Sequence, residues 1–494
     1  LLFIKYSHYK DGFILTNSVS YSLVNNQRRY IMMNYDVIII GAGPCGIFTA
    51  LELKKNNPDA SILILEKGNS IEKRICPKRK TGVCIGCSPC NITTGFAGAG
   101  AYSDGKLSLS PDVGGNLPTY LGYEETQKLI NYVDEIYLSF GADKTIFGID
   151  KDKEIRNIRK KAINANLKLI ECPIRHMGTE EGYNIYSRIE AHLEDLGVQM
   201  KFRNPVKDLI FDENKVLKGV IADKEYYSEK VIIAVGREGS DWLKDLCETH
   251  NINTTTGDVD IGVRVETRNE VMEELNHAMY ESKLIYYTPT FDDKVRTFCS
   301  NPGGEVSTEI YEGNLAVVNG HSYKSDKLKS ENTNFALLVT KHFTKPFNSP
   351  IEYGMHIAQL GNMLSGNKVL VQRYGDFKRG RRTTEDRLFR NNIIPTLKDA
   401  VPGDLSLVLP YRIMKSIDEI VALDNITPGL ASDETLLYGV EVKFYSNRVL
   451  VNNNFETNIK GLYVGGDGAG ITRGLMQASV NGIVLAKIIS SAGK

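Results

Sequence analysis

The stretch Asp36-Val-Ile-Ile-Ile-Gly-Ala-Gly-Pro-Cys-Gly46 constrains this chain more than any other. Four apolar residues, Val37 to Ile40, all of them β-branched, form a buried strand, which runs through a glycine turn directly into a helix. Gly41 takes the tight turn, Gly43 carries no side chain to hold off a phosphate, and Gly46 lets the helix that starts near Pro44 lie close to the strand. The helix N-terminus then faces the anion, which makes the turn a site for a dinucleotide pyrophosphate. A second apolar strand, Ser61-Ile-Leu-Ile-Leu65, delivers Glu66 twenty residues past Gly46, where a carboxylate can hold ribose hydroxyls, with Lys67 beside it.

The chain has 494 residues, more than one core, and its 60 Lys plus Arg equal its 60 Asp plus Glu. This balance gives no overall field toward nucleic acid or an acidic membrane, so the expected partners are small molecules. No run of eighteen uncharged apolar residues occurs, which argues against a membrane span and for a soluble, cytoplasmic protein. Residues 1–31 read as a leader or non-native extension ahead of Met32 and Met33. The eight cysteines do not suggest a disulfide framework, because four of them fall between residues 76 and 90.

The expected fold class is α/β: a discontinuous Rossmann-like nucleotide domain, built as βαβ plus a C-terminal strand and helix, with an inserted mixed α+β substrate domain. The divisions are 32–115 for its first part, 116–172 for a helical insertion, 173–253 for its second part, 254–438 for the substrate or cap domain, and 439–494 for its third part. Residues 122–170 read as helices from their apolar spacing, and 183–196 as a helix ending at Gly197. Segments 230–236 and 459–470 read as strands ending in glycine turns, and a helix is expected from about Gly474 to Ile489.

Three separated segments resemble the FAD-binding domain of the large flavoprotein class that includes the glutathione reductase relatives: Gly41 to Glu66, Val231-Ile-Ile-Ala-Val-Gly236, and Gly461-Leu-Tyr-Val-Gly-Gly-Asp467. The resemblance implies FAD as the cofactor. It assigns Gly236 to the strand turn beside the flavin and Gly466 and Asp467 to the ribityl and pyrophosphate region. It places Gly474 at the helix start facing the ring, and Val206 against the adenine through its backbone. Gly95-Phe-Ala-Gly-Ala-Gly-Ala-Tyr-Ser-Asp-Gly-Lys-Leu107, the Thr297 to Val306 segment and Gly466 to Gly474 are similar to the narrower family of FAD-dependent, or NAD-utilising, dehydrogenases. Residues 254–438 contain no second strand followed by Gly-x-Gly-x-x-Gly, so no separate nicotinamide domain is expected.

Cys76, Cys84, Cys87 and Cys90 put three thiols on one short loop and a fourth nearby. Four sulfur ligands suit a [4Fe-4S] cluster, whose ferredoxin loops use this C-x2-C-x2-C spacing, better than zinc; free or redox-active thiols are the alternative. Arg74, Lys78, Arg79 and Lys80 add local positive charge, suited to an acidic ferredoxin or to a solvated loop.

Candidate catalytic residues are His176 in Cys172-Pro-Ile-Arg-His, Cys299 in Thr297-Phe-Cys-Ser, and Arg264 in Asp260-Ile-Gly-Val-Arg-Val-Glu as a clamp for a carboxylate. Each has a plain structural alternative: a hydrogen-bonded histidine, a buried cysteine packing as a small hydrophobe, and an arginine paired with Glu266. Arg379, Arg381 and Arg382 are weaker clamp candidates, and Asp104 and Lys106 lie in a glycine-rich path near the ring. The expected activity is that of an FAD-dependent oxidoreductase moving a hydride or electron pair between an organic substrate and a carrier such as ferredoxin or NAD(P)H. A flavin monooxygenase and a non-catalytic flavin or iron-sulfur redox sensor are the alternatives.

Overall fold

The computed structural model describes residues 34–491 apart from 78–86, 103–104, 280, 312–314, 322–325, 345, 348, 420 and 445–447. The leader reading of residues 1–31 and the candidates Cys84 and Asp104 lie outside the described residues.

The β-branched run Val37–Ile40 is buried at every position, as a strand covered on both faces must be. It lies at the centre of a five-stranded sheet in the order Leu462–Val464, Val231–Ile233, Val37–Ile40, Ile62–Leu65, Gln199–Lys201. All its pairings are parallel. One connection from the central strand leads to Ile62–Leu65 on one side, with Gln199–Lys201 beyond it, while Val231–Ile233 and Leu462–Val464 fill the other side. The carboxyl end of Val37–Ile40 is therefore the topological switch point, where sheets of this kind bind ligands. The helix Pro44–Asn56 starts there with Pro at its first position, which needs no amide donor. The last helix, Leu475–Ser491, packs along it.

A second unit is built on an eight-stranded, mostly antiparallel sheet. Its order is Val401–Pro402, Leu370–Arg373, Leu436–Phe444, Val259–Arg268, Asn332–Lys341, Lys294–Asn301, Lys283–Tyr287, Leu167–Ile170. Period-two alternation divides its faces. Val259, Ile261, Val263 and Val265 enter an apolar core together with Leu337, Val339 and Val295. Asp260, Gly262, Arg264 and Glu266, which alternate with them, are placed on the opposite face.

The segment read as helical does contain helices Tyr123–Ser139 and Asp152–Asn164. Its end differs: Leu167–Ile170 is an edge strand of the large sheet, paired with Lys283 to Tyr286. Four residues with only one exposed side chain carry too short a period to separate strand from helix, and the partner that decides the matter lies more than a hundred residues away. A small sheet joins Lys106–Ser108, Ile174–His176 and Ile146–Phe147, with Lys106 opposite His176. Among the described residues no helix is long and apolar enough to cross a membrane.

Candidate cofactor and active site

At the end of the central strand Gly41 adopts φ +104°, and a Cβ there would stand 2.8 Å from the Ala234 carbonyl oxygen. A Cβ at Gly46 would stand 2.1 Å from the Gly41 carbonyl oxygen, so the helix can approach the turn only with glycine at that position. Gly43 is different, because no atom lies within 4 Å of where its Cβ would be. The turn therefore needs glycine at 41 and 46 to fold, but not at 43. An approaching phosphate is a physical reason for the third glycine.

Glu66 is 7% exposed, and its carboxylate fastens three strands of backbone. Oε2 accepts from the Ala42 amide at 2.9 Å, and Oε1 accepts from the amides of Gly68 at 2.8 Å and Gly95 at 3.2 Å. A carboxylate offers about four acceptor positions, so three amides leave capacity for a hydroxyl. The Glu66 carbonyl accepts from the Asn204 amide at 2.9 Å, which brings the Asn204 to Val206 turn to this corner; Val206 itself is buried. Lys67 reaches across the rim, donating to the Glu238 carbonyl at 3.0 Å and lying 3.8 Å from its carboxylate.

The second and third segments arrive on neighbouring strands. Gly236 follows Val231–Ile233, and the amide of Gly468 donates to the Val235 carbonyl at 3.0 Å. Gly466 donates its amide to Asn481 Oδ1 at 2.8 Å. Asp467 Oδ1 accepts from the Thr472 hydroxyl at 2.7 Å and Oδ2 from the Gly474 amide at 3.1 Å, which shapes the turn before the last helix. Burial raises the Asp467 carboxyl above its usual range, opposed by these donors and by the charges of Arg237 and Arg473. Gly41, Gly43, Gly46, Glu66, Gly236, Gly466, Asp467 and Gly474 thus gather at one end of one sheet. Cys45, within the first turn, is buried and its thiol is pushed well up by desolvation, so it packs rather than reacts.

The glycine-rich segment after the cysteines docks on the same corner. The Ala97 amide donates to the Ala42 carbonyl at 2.7 Å, and Phe96 donates to the Asn69 carbonyl at 2.9 Å. Arg74, expected to be surface charge on a loop, is 2% exposed and holds this segment from behind. It donates to the carbonyls of Asn91 at 2.9 Å and Ile92 at 2.7 Å and to that of Phe96. Its cost of burial is met by three acceptors and by the Tyr102 ring 4.8 Å away.

Glu190 lies in the same neighbourhood, on the helix Thr179–Asp195. Oε2 accepts from the Ile71 amide at 3.0 Å, while Oε1 has no hydrogen-bond partner. Burial pushes its carboxyl up to about 7, with Glu194 and Glu72 adding to the rise and Arg74 opposing it. A carboxyl whose folded pKa exceeds its unfolded value stabilises the fold when protonated. The contribution is complete below about 4.5 and disappears as pH rises to about 7, a change of at most about 3 kcal/mol. Glu190→Gln is expected to remove this slope, matching the parent near pH 4.5 and exceeding its stability at pH 8, as measured by denaturant midpoints at the two values.

Among the described residues no three His, Cys, Asp or Glu side chains are grouped to hold a metal, although Cys76, Cys87 and Cys90 are all described and half-buried. The fourth member, Cys84, lies outside them. At Cys90 burial works against ionisation, but the amides of Ile92 and Thr93 and the Thr93 hydroxyl outweigh it and lower the thiol below its ordinary value.

The catalytic candidates separate. His176 ends its strand opposite Lys106. Cys299 occupies a bulge between Phe298 and Asn301 at φ +52°, and its carbonyl accepts from Arg264 at 3.3 Å. Arg264 is not placed as a substrate clamp. It is fully buried and binds Glu441 with both arms, Nε to Oε2 at 2.8 Å and Nη2 to Oε1 at 2.9 Å, while Nη1 donates to Asn334 at 2.9 Å. Its partner is Glu441 rather than Glu266, because the bulge opposite Gly262 to Arg264 brings Glu441 alongside. Arg379 and Arg381 are likewise occupied, by Asp433 and Asp376, each at 2.7 Å.

Residues that a period-two reading reveals are Lys294, Arg296 and Phe298, every second side chain of one strand. Arg296 pairs with Asp260, and its guanidinium stands 5.3 Å from the centre of the Phe298 ring, which Lys283 approaches at 5.7 Å. The buried Glu281 joins Lys283 at 3.5 Å and Lys106 at 3.9 Å.

Residues 258–444 match the family model "FAD-dependent protein, C-terminal domain-like". That stretch coincides with the large sheet from its strand Val259–Arg268 to its strand Leu436–Phe444 and shares no residue with the three nucleotide segments. A protein of Clostridium beijerinckii named only as uncharacterized is 26% identical over 472 residues, covering 92% of this chain and 80% of that protein. Among solved structures, L-proline dehydrogenase from P. horikoshii aligns with a TM-score of 0.36 at 11% identity, covering 94% of this chain and 95% of the other. Glycine oxidase from Bacillus cereus aligns with a TM-score of 0.36 at 13% identity, covering 93% and 96%.

Proposed function

We propose that this chain, of which residues 258–444 match an FAD-dependent family model, is an oxidoreductase that moves a hydride or an electron pair between a small organic substrate and an external carrier. The observation that carries the reading is the convergence of Gly41 to Glu66, Gly236 and Gly466 to Gly474 at one end of one parallel sheet. The cofactor supplies the redox chemistry when bound, and the residues supply its position. Gly43 gives the pyrophosphate room at the first helix N-terminus, and Glu66 holds the ribose at the edge of its carboxylate. Asp467 takes the ribityl hydroxyls, with Val206 at the adenine. The end of the last helix beside Gly474 presents partial positive charge, which favours an anionic reduced ring. His176 is the proposed group for proton movement near the substrate, and Cys299 a residue at its edge.

A [4Fe-4S] cluster on Cys76, Cys84, Cys87 and Cys90 is proposed as an accessory relay, and ferredoxin or NAD(P)H as the partner. The test is an absorption spectrum of chain purified without oxygen, with iron and zinc assayed, before and after NADH, NADPH or reduced ferredoxin. A flavin spectrum bleached by one of these carriers is the expected result. Flavin present without iron, unchanged in Cys84→Ser, removes the relay. Protein without flavin removes the reading as a whole.

A further inference from the structure

We propose that the polar face of the large sheet, where Lys283, Lys294, Arg296 and Phe298 meet Lys106, binds a small organic acid through its carboxylate. The site rests on the proposed oxidoreductase reading, since it would be the substrate side of the same reaction. The strand register builds it. Val295 faces Val339 and enters the apolar core, so Lys294, Arg296 and Phe298 are carried to the opposite face. Ile285 faces Arg296, which sets Lys283 on that face one strand further out. Asp260 shares it, two strands away, and pairs with Arg296. Lys106 reaches the patch from the nucleotide unit through Glu281.

The charges do not cancel here as they do over the whole chain. Lys106, Lys283, Lys294, Arg296 and Arg473 stand against Asp258, Asp260 and Glu281, five positive groups to three negative. Lys294 reports the imbalance: burial lowers its ammonium pKa, and the nearby charges of Arg296 and Arg473 push the same way, against Asp260 and Asp258. The positive excess suits a carboxylate, and Phe298, whose ring centre lies 5.3 Å from the Arg296 guanidinium that Asp260 holds, presents an apolar ring face. An anion with an apolar body satisfies both, whereas a cation would meet the positive excess.

Calorimetric titration of the flavin-loaded chain with benzoate, and in parallel with its uncharged isostere benzamide, tests the site, with flavin content measured separately. Saturable binding of benzoate, absent for benzamide and weakened at least about tenfold by Arg296→Gln, is the expected result. Lys294→Gln serves as the second variant, because that residue is only partly buried and glutamine keeps a polar side chain there. It is expected to weaken benzoate several-fold at unchanged flavin content. Equal binding of benzamide, or benzoate binding unaltered in both variants, overturns the proposal. Absence of flavin from the parent chain contradicts the oxidoreductase reading instead, and the benzoate titration of that chain still decides this one.

Discussion

A Gly43→Val chain is expected to fold like the parent and to carry no flavin. The backbone at Gly43 is extended, with φ −79° and ψ 179°, a conformation valine adopts readily, and no atom stands within 4 Å of the added Cβ. The apo chain should therefore keep its circular dichroism and its melting temperature within a degree or two. The isopropyl group occupies the approach of the pyrophosphate, which should weaken FAD by about a thousandfold or more, roughly 4 kcal/mol. Gly46→Ala is the necessary contrast, because its Cβ would overlap the Gly41 carbonyl and so disturb the fold itself. Loss of flavin in both variants, with loss of fold only at 46, distinguishes a glycine kept for a ligand from one kept for packing. A Gly43→Val chain that retains flavin would contradict the placement of the phosphates.

Arg264→Ala is expected to be the most destabilising change in the second unit. The substitution leaves Glu441 charged, fully buried and without its two-armed partner, with only Lys443 at 3.2 Å beside it. Breaking a buried pair in this way costs about 3–5 kcal/mol. For a unit of this size each kcal/mol moves the midpoint by about 2–4 °C, so calorimetry should show a fall of roughly 6–20 °C. Arg264→Met with Glu441→Leu removes both charges together and should recover most of that loss, since apolar replacement of a buried pair is often neutral. Were Arg264 a substrate clamp, Arg264→Ala would instead leave the midpoint nearly unchanged and reduce only turnover.

The nucleotide unit was legible because its information is local. A strand, a glycine turn and a helix start occupy eleven consecutive residues, and Glu66 follows on the next strand. The strands before Gly236 and before Gly466 were visible as apolar runs into turns; the first pairs in parallel with Val37–Ile40 and the second with the first. The second unit hid its logic in long-range pairs. Arg264 meets Glu441 across 177 positions, and nothing near Arg264 in sequence tells whether its fork is occupied or available. Arg74 stood in a basic run and looked like surface charge, yet it is the buried support of the Gly95 turn. The patch on the polar face of the sheet had a signal, the period-two set Lys294, Arg296 and Phe298. Its meaning depended on which face the core would cover, and that is fixed by Val339 and Leu337 on the neighbouring strand.

On the proposed reading, Gly41 to Glu66, Gly236 and Gly466 to Gly474 together form one FAD site. The most direct measurement is the flavin content of the purified chain, by absorbance and by release of the cofactor on denaturation, for the parent and for Gly43→Val side by side. Close to one FAD per parent chain and none in the folded variant is the expected result. A parent chain that neither contains FAD nor takes it up when reconstituted would contradict it.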